Sequence, residues 1–263
     1  MEYTDITVEI ADGIGTLSFD RPDKGNAVHP DMLREVCGAL DALAADDTVK
    51  AIVLRGNGKN FSAGADFRFL DGLTTTPPAQ VQHQVYSWFQ GAARRLYRCR
   101  KPTVAAVQGA AVTVGCELAL ACDFRIVAED AFFQESWIKL GIMPPLGGLF
   151  LLPRMVGLGR AMQMALRAEE IKAEQALAIG LACKVVAPDD LVQRSAAFAA
   201  ELAALPPLAY ATVKESLQRG LETSMDAEWT ANVGKQAVLL STEDFREGLM
   251  AAKERRKPNF AGK

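Results

Sequence analysis

The chain has 263 residues and a formal net charge of −3, with 49% hydrophobic and 23% charged residues. These values are typical of a globular protein with an apolar core, and the length fits one large domain with at most a small appendage. The missing basic excess argues against a nucleic-acid-binding protein. Five scattered cysteines without CxxC spacing, no basic and apolar leader, and no apolar stretch long enough for a bilayer predict a soluble, cytoplasmic protein with reduced thiols.

The N-terminal part of the chain alternates between strand and helix patterns. Apolar residues alternate along residues 4–19 on both sides of Asp12-Gly13, which predicts a β-hairpin. Pro30 begins a helix with one apolar face, and residues 51–54 predict a short buried strand. Residues 70–80 have Thr-Thr-Thr-Pro-Pro at their centre and predict a mobile loop, followed by a helix that ends near residue 100.

The middle of the chain repeats the order of strand, turn and helix. Strands are predicted at residues 103–108 and 123–128, with a helix from about Gly115 between them. Such repeats favour an α/β fold with largely parallel strands. From Pro188 onward the chain is rich in Ala and Leu at helical spacing and predicts helices without strands. We therefore expect a core at residues 1–195 and a helical C-terminal oligomerisation region at residues 196–263.

Two segments, residues 61–66 and 106–120, contain many small residues, which let a ligand approach the backbone closely. Free N–H groups on the two could form an oxyanion hole, where two donors stabilise a thioester oxygen that becomes an enolate. Glu117, near the predicted helix start, could then move a proton or activate water. Two tight turns with a glutamate favoured by the helix dipole would explain the same pattern without catalysis. The two isolated histidines, His29 and His83, predict neither a serine triad nor a metal site.

These segments resemble motifs of the crotonase (enoyl-CoA hydratase/isomerase) superfamily. FSAGADF resembles F-[AS]-A-G-A-D-[IL], and AAVQGAAVTVGCELALACDFRIV resembles A-x-x-x-G-x-x-x-G-G-G-C-E-L-x-x-x-C-D. Further similarity is found in FDRPDKGNAV near the N-terminus and in residues 241–248 and 256–260 near the C-terminus. The resemblance covers nearly the whole chain. It is specific because four separated motifs occur in order.

The resemblance implies a spiral of ββα units, a helical trimerisation region, and assembly as a trimer or a dimer of trimers. It implies a coenzyme A thioester as ligand, so that coenzyme A is part of the substrate and neither a separate cofactor nor a metal is expected. At matched positions, the oxyanion donors are the N–H groups of Ala65 and Val114, and the main acid/base group is Glu117. The residues expected near coenzyme A are Lys24, Lys59, Ala63, Asp66, Arg68 and, from a neighbouring subunit, Arg255.

Three positions depart from the family pattern, and one of them is Ala252, where many members have a phenylalanine near coenzyme A. Val114 stands where glycine is usual, and we expect this β-branched residue to resist a positive φ. Trp137 stands where hydratases have their second catalytic glutamate, which makes an aromatic wall of the substrate pocket there. Glu135 lies two residues earlier; in an extended segment it would face the same way as Trp137, about 6–7 Å along the strand.

Three functions remain open at this point. The first is a lyase that hydrates a 2-enoyl-CoA, or the reverse, with Glu117 as main acid/base group and Glu135 assisting. The second is another enolate-based reaction of an acyl-CoA, such as isomerisation, hydrolysis or decarboxylation, with Glu117 alone. The third is an acyl-CoA binder without catalysis. The Trp137 replacement favours the second and third, whereas the intact AGAD and GCEL segments favour the first two.

Overall fold

The computed structural model describes residues 3–263 as an alternation of strands and helices. The strands are β1 (Ile6–Ala11), β2 (Ile14–Phe19), β3 (Ala51–Gly56), β4 (Thr103–Val107), β5 (Ala110–Val112), β6 (Phe124–Ala128), β7 (Phe132–Gln134), β8 (Ile171–Lys172) and β9 (Lys184–Val186). The helices are α1 (Pro30–Ala45), α2 (Phe67–Leu73), α3 (Pro78–Gln84), α4 (Gln90–Tyr97), α5 (Val114–Ala121), α6 (Gly148–Val156), α7 (Leu158–Arg167), α8 (Ala173–Ala178), α9 (Leu191–Ala203), α10 (Pro207–Gly220), α11 (Met225–Leu240) and α12 (Glu243–Glu254).

The main sheet has six strands in the order β1-β2-β3-β4-β6-β9. β1 and β2 pair antiparallel around Asp12 and Gly13, which confirms the predicted hairpin. The next pairs, from β2 to β9, are parallel, so the predicted mixed α/β fold is also confirmed. Parallel neighbours align the carboxyl ends of β3 and β4, and the loops that leave those ends carry the candidate site.

Both faces of the main sheet are covered by helices. α1 begins at Pro30, as predicted, and buries an apolar face that includes Met32, Leu33 and Leu40. On the opposite face, α9 packs across the sheet and buries Leu191 together with strand residues of β2, β3, β4 and β6. Burial on two sides explains why the central strands are almost continuously apolar.

A second sheet of three short strands, β5-β7-β8, was not predicted from the sequence. β5 pairs parallel with β7, which pairs antiparallel with β8. These strands have only two or three residues each, too few for an alternating pattern to be recognised. The sheet matters for the site because it joins the entrance of α5 to the segment that continues to Glu135 and Trp137.

The predicted loop at residues 70–80 is shorter than expected, and its mobility stays a prediction. That region contains the end of α2, a four-residue turn at 74–77, and the start of α3 at Pro78. Proline fits this position because it lacks the N–H that the first helical turn leaves unpaired. The following helix contains a π-helical turn at Val85–Phe89 before it continues as α4.

The C-terminal part is helical, as predicted, with α9 to α12 and no strand after β9 in the described chain. Asp123, after α5, accepts hydrogen bonds from the Lys214 ammonium and the Tyr210 hydroxyl of α10, at 2.9 and 3.0 Å, so this helix is tied to the core. α9 runs through the predicted boundary between residues 195 and 196, and the division into two regions stays a prediction. No single helix in residues 3–263 is long and apolar enough to cross a membrane; only the pair Pro188–Ala203 and Pro207–Gly220, bent by 101°, meets those criteria jointly.

Candidate active site

Two loops approach each other closely at the carboxyl ends of β3 and β4. A Cβ at Gly64 would lie 2.2 Å from Thr113 Oγ1, and a Cβ at Gly115 would lie 2.7 Å from Ser62 Cβ. Separations this short are impossible for a real side chain, so the small residues of both motifs are needed for the loops to meet. The contact brings the segments that carry Ala65 and Val114 together, as the sequence predicted.

The N–H groups of Ala65 and Val114 are both free to bind a ligand. Val28 donates to the carbonyl of Gly64 and accepts from the N–H of Asp66, in a parallel bridge. In such a bridge the residue between the two bonded ones turns its N–H away, so that of Ala65 points to the other side. Val114 is the first residue of α5, where the N–H has no partner within the helix. Among residues 3–263, neither N–H donates to a protein atom.

The positive φ at this turn belongs to Thr113 and not to Val114, which agrees with the expectation that Val114 resists a positive φ. Thr113 has φ 47° and ψ −110°, while Val114, already helical, is not among the positive-φ residues of the described chain. Glycine is the residue that adopts such angles readily, and a β-branched residue there is strained. Thr113 donates its N–H to the carbonyl of Gln134 at 2.8 Å, a bond that holds the turn to β7.

Glu117 lies one helical turn into α5, with its side chain 1% exposed. Its Oε2 accepts hydrogen bonds from the N–H groups of Leu146 at 2.7 Å and Gly148 at 2.9 Å. Its Oε1 accepts one from the indole Nε1 of Trp137 at 3.2 Å. Gly148 is the first residue of α6, so the carboxyl also lies at the positive end of that helix. The side chain is held in one place, and Oε1 has capacity for one more hydrogen bond.

The pKa of Glu117 is raised from its usual range to about 7. Burial is the main cause, and hydrogen bonds from Gly148, Leu146 and Trp137 act in the opposite direction by stabilising the carboxylate. A group with a pKa near neutral pH can both take and return a proton, which is the requirement for general acid/base catalysis.

Glu135 is completely buried, and neither of its carboxyl oxygens has a hydrogen-bond partner among the described residues. Burial and the charge of Glu117 raise its pKa well above the usual range, while the nearby Cys116 thiol has the opposite effect. These surroundings favour the protonated form of Glu135 over its carboxylate. The two carboxyls interact, so that the charge on Glu117 opposes ionisation of Glu135.

Glu135 and Trp137 do not lie in one extended segment, in contrast to the geometry considered for them from the sequence. β7 ends at Gln134, and Ser136–Leu140 forms a 3-10 turn that begins directly after Glu135. Trp137 is buried, and its indole is a hydrogen-bond donor to Glu117. Its role as an aromatic wall of the substrate pocket stays a prediction. The 3-10 turn, which is tighter than a strand, brings Glu135 and Trp137 to the same carboxyl.

Three of the residues expected near coenzyme A lie at one edge of the site. Ala63 donates its N–H to the carbonyl of Gly25 at 2.8 Å. A Cβ at Gly25 would lie 3.3 Å from both Ala63 Cβ and Asn60 Nδ2. Lys24 precedes Gly25 and Lys59 precedes Asn60, and both lysines are exposed.

Asp66 and Arg68 lie at the start of α2, next to Ala65. Asp66 caps this helix by accepting the N–H of Arg68 at 2.9 Å and also accepts from Arg21 at 3.2 Å. Against the effect of partial burial, these bonds lower the pKa of Asp66. The carboxylate therefore has a local structural role, while Arg68 is exposed. Arg255 ends the separate helix α12, and its expected place in a neighbouring subunit's site stays a prediction.

Sequence reasoning missed the buried polar side chain that joins the loops. Asn26 is fully buried, and its amide donates to the carbonyls of Asn57 and Asn60 at 2.9 and 2.8 Å. Its side-chain oxygen accepts the N–H of Arg21 at 2.9 Å. The backbone of Asn26, with φ 57°, accepts a 2.8 Å hydrogen bond from the Ser62 hydroxyl. Asn after Gly in a turn-rich segment is a usable signal, because Asn tolerates the left-handed region.

The backbone donors to Glu117 were also missed. Leu146 and Gly148 follow an irregular segment, and only the Gly147-Gly148 pair before an apolar helix marks them in the sequence. A side chain at position 148 would also crowd Glu117, since a Cβ there would lie 3.1 Å from Glu117 Cγ and 3.2 Å from its Oε2.

The amino-acid sequence matches a known family over almost the whole chain. The enoyl-CoA hydratase/isomerase model matches residues 9–263. The chain belongs to the enoyl-CoA hydratase/isomerase family. It is 35% identical over 264 residues to the crotonyl-CoA hydratase of Syntrophomonas wolfei, and 32% identical over 263 residues to the 1,2-epoxyphenylacetyl-CoA isomerase of Escherichia coli, with 100% of each chain covered.

Solved structures of the family have the same fold. The enoyl-CoA hydratase from Bacillus anthracis superposes with a TM-score of 0.92 at 30% identity, covering 99% of this chain and 100% of that chain. The expected crotonase-like fold with a helical C-terminal region is therefore confirmed. The relatives include a hydratase and an isomerase, so family membership gives the ligand class, an acyl-CoA, and leaves the reaction to be argued from the site.

Proposed function

We propose that this chain is an enoyl-CoA hydratase that adds water reversibly across the double bond of a 2-enoyl-CoA. The observation that carries the proposal is the pair of buried carboxyls Glu117 and Glu135. Burial raises the pKa of both carboxyls, that of Glu117 to about 7, and the charge of Glu117 raises the pKa of Glu135 further. Two carboxyls in this relation supply a base and an acid.

In the proposed reaction, the carboxylate of Glu117 takes a proton from water as the water oxygen bonds to C3 of the substrate. The electrons of the double bond move to the thioester oxygen, and the N–H groups of Ala65 and Val114 stabilise the resulting enolate. C2 then takes a proton from the carboxyl pair, through Glu117 with Glu135 assisting. One water is consumed, its OH is on C3, and a proton is on C2.

The thioester is the natural ligand class for this arrangement. Lys24 is exposed and precedes Gly25, which is hydrogen-bonded to Ala63. Lys59 and Arg68 are exposed as well. In our proposal these cations bind the phosphates of coenzyme A, and the carbonyl of Ala63 meets the adenine. Coenzyme A enters as part of the substrate, so the reaction needs no further cofactor and no metal.

We also propose that the chain assembles as a trimer or a dimer of trimers. α11 buries no residue in the single chain. Its exposed large apolar residues are Met225, Trp229, Val233, Val238 and Leu240. Such a surface is more apolar than a free helix normally presents, and association would cover it. The same assembly would bring Arg255 to the ligand of a neighbouring subunit.

Isomerisation is a second candidate, favoured by the contact of Trp137 with Glu117. This indole occupies the position of the hydratases' second glutamate and donates to Oε1, where a bound water would otherwise compete. Moving a double bond requires one group that removes a proton from one carbon and returns it to another. Glu117, with a pKa of about 7, could do both.

Turnover in ¹⁸O-labelled water distinguishes the possibilities. The proposal expects a 2-enoyl-CoA to give a 3-hydroxyacyl-CoA that contains one ¹⁸O. A shifted double bond without ¹⁸O, from a 2-enoyl- or 3-enoyl-CoA, would overturn it in favour of isomerisation. Binding of these thioesters by calorimetry without any turnover would overturn both reactions and leave an acyl-CoA binder. Glu135→Gln should lower hydration strongly if Glu135 assists, and should leave isomerisation by Glu117 unchanged.

A further inference from the structure

One peptide group links the helix α4 to the carboxyl of Glu117. The side-chain amide of Gln90 donates from Nε2 to the carbonyl oxygen of Pro145 at 2.9 Å. The N–H on the other side of the same peptide group belongs to Leu146 and donates to Glu117 Oε2 at 2.7 Å. Gln90 and Glu117 therefore hold opposite ends of one planar unit.

We infer that Gln90 is a positioning residue that sets the proton affinity of Glu117 through the Pro145–Leu146 peptide. The inference rests on the proposed role of Glu117. Because the peptide is planar, fixing the carbonyl direction fixes the direction of the N–H. A donor at the carbonyl also polarises the group and strengthens its N–H as a donor. Both effects favour the carboxylate of Glu117 over its protonated form.

The surrounding chain provides little else to hold this peptide. Residues 143–146 make no backbone–backbone hydrogen bond within the described part of the chain. The segment lies between the 3-10 turn that ends at Leu140 and helix α6, and it has no regular structure. Among the described residues, Gln90 and Glu117 are therefore the two groups that hydrogen-bond to this peptide.

The position of Gln90 is itself well defined. It is the first residue of α4, and the next residues, Gly91, Ala92 and Ala93, are buried against the core. α4 packs against α1 and against α5, which carries Glu117. The preceding π-helical turn, Val85–Phe89, has a wider turn than an α-helix and rotates the later residues relative to a continuous helix. The helix thus presents Gln90 to the loop from a rigid base.

The test is Gln90→Met, which keeps the length of the side chain and removes the donor. The inference expects the pKa of Glu117 to rise by about 0.5–1 pH unit, the equivalent of weakening one hydrogen bond. The low-pH limb of the kcat/KM profile should move up by the same amount, with full activity regained at high pH. Gln82→Met is the matched control, because Gln82 is exposed on α3 and has no side-chain hydrogen bond to the described residues.

The pKa of Glu117 can be measured without turnover, by ¹³C NMR of the side-chain carboxyls, with its signal assigned from its loss in Glu117→Gln. This separates the two claims: a chain that turns over no enoyl-CoA would defeat the proposed function while the titration still tests Gln90. An unshifted titration in Gln90→Met, or an equal loss of activity at every pH, would overturn the inference and leave Gln90 a purely structural residue.

Discussion

Replacing Glu117 with glutamine tests the central residue of the site. The carboxyl accepts three hydrogen bonds: two at Oε2 from Leu146 and Gly148, and one at Oε1 from Trp137. An amide offers a single oxygen. It should turn that oxygen to the two backbone donors, which are closer, and face its NH₂ toward the indole N–H. The replacement therefore removes proton transfer and one of the three hydrogen bonds.

The expected loss in kcat is about 10²- to 10⁴-fold, the usual contribution of a general acid or base. This corresponds to about 2.7–5.4 kcal/mol of transition-state stabilisation. Affinity for a coenzyme A thioester should change little, because the N–H groups of Ala65 and Val114 and the exposed cations remain. In Glu117→Gln the amide NH₂ and the indole N–H of Trp137 face each other as two donors, which is unfavourable in itself. The double variant Glu117→Gln/Trp137→Phe has no indole donor and removes this effect.

Steady-state kinetics on the best substrate, together with calorimetry of a non-reacting acyl-CoA, provides the measurement. If opposed donors alone were responsible for the loss, the double variant would recover activity; if proton transfer is lost, it remains inactive. Turnover by Glu117→Gln equal to that of the unchanged chain would refute the assignment of Glu117 as the acid/base group.

Three further changes test the geometry around this residue. Gly64→Ala should destabilise the fold by roughly 1–3 kcal/mol, since φ is +104° and the new Cβ would meet Thr113 Oγ1 at 2.2 Å; an unchanged urea midpoint would contradict the close approach of the loops. Gly148→Ala should lower kcat more than it lowers the affinity for a thioester, because the new Cβ would lie 3.2 Å from Glu117 Oε2 and crowd that carboxyl. Equal losses in kcat and in affinity would contradict this crowding. The raised pKa of Glu135 means that the folded state binds more protons than the unfolded state above about pH 4.3, so stability should fall as pH rises. Glu135→Gln should flatten this dependence in urea unfolding at about pH 5 and about pH 8, and an identical slope in the variant would be inconsistent with a buried, protonated carboxyl.

Local patterns in the sequence were sufficient for much of the fold. The β1–β2 hairpin and the start of α1 at Pro30 follow from alternation, turn residues and helical spacing within short windows. In these cases the residues that determine a structure are neighbours in the chain, and their patterns are long enough to distinguish strand from helix.

Contacts between distant segments could not be read in this way. The sequence predicted an aromatic wall at Trp137 and gave no indication that its N–H would reach Glu117, since that depends on the 3-10 turn at Ser136–Leu140. The backbone donors at Leu146 and Gly148 are equally invisible, because any residue carries an N–H. The strands β5, β7 and β8 are defined by their partners and are too short to have a pattern of their own.

The backbone of Thr113 has a consequence for how firmly the site is built. A threonine at φ 47° and ψ −110° costs about 1–3 kcal/mol relative to an unstrained residue, and glycine would remove most of that cost. The strained backbone of Thr113 therefore lowers the stability of the fold. Two neighbours keep Thr113 in this conformation: Gln134 accepts a hydrogen bond from its N–H, and Gly64 packs against it. The turn thus stores backbone strain directly before Val114. The Thr113→Gly variant should have a higher free energy of unfolding. Its turn should also be more flexible, so that the position of the Val114 N–H is less firmly fixed.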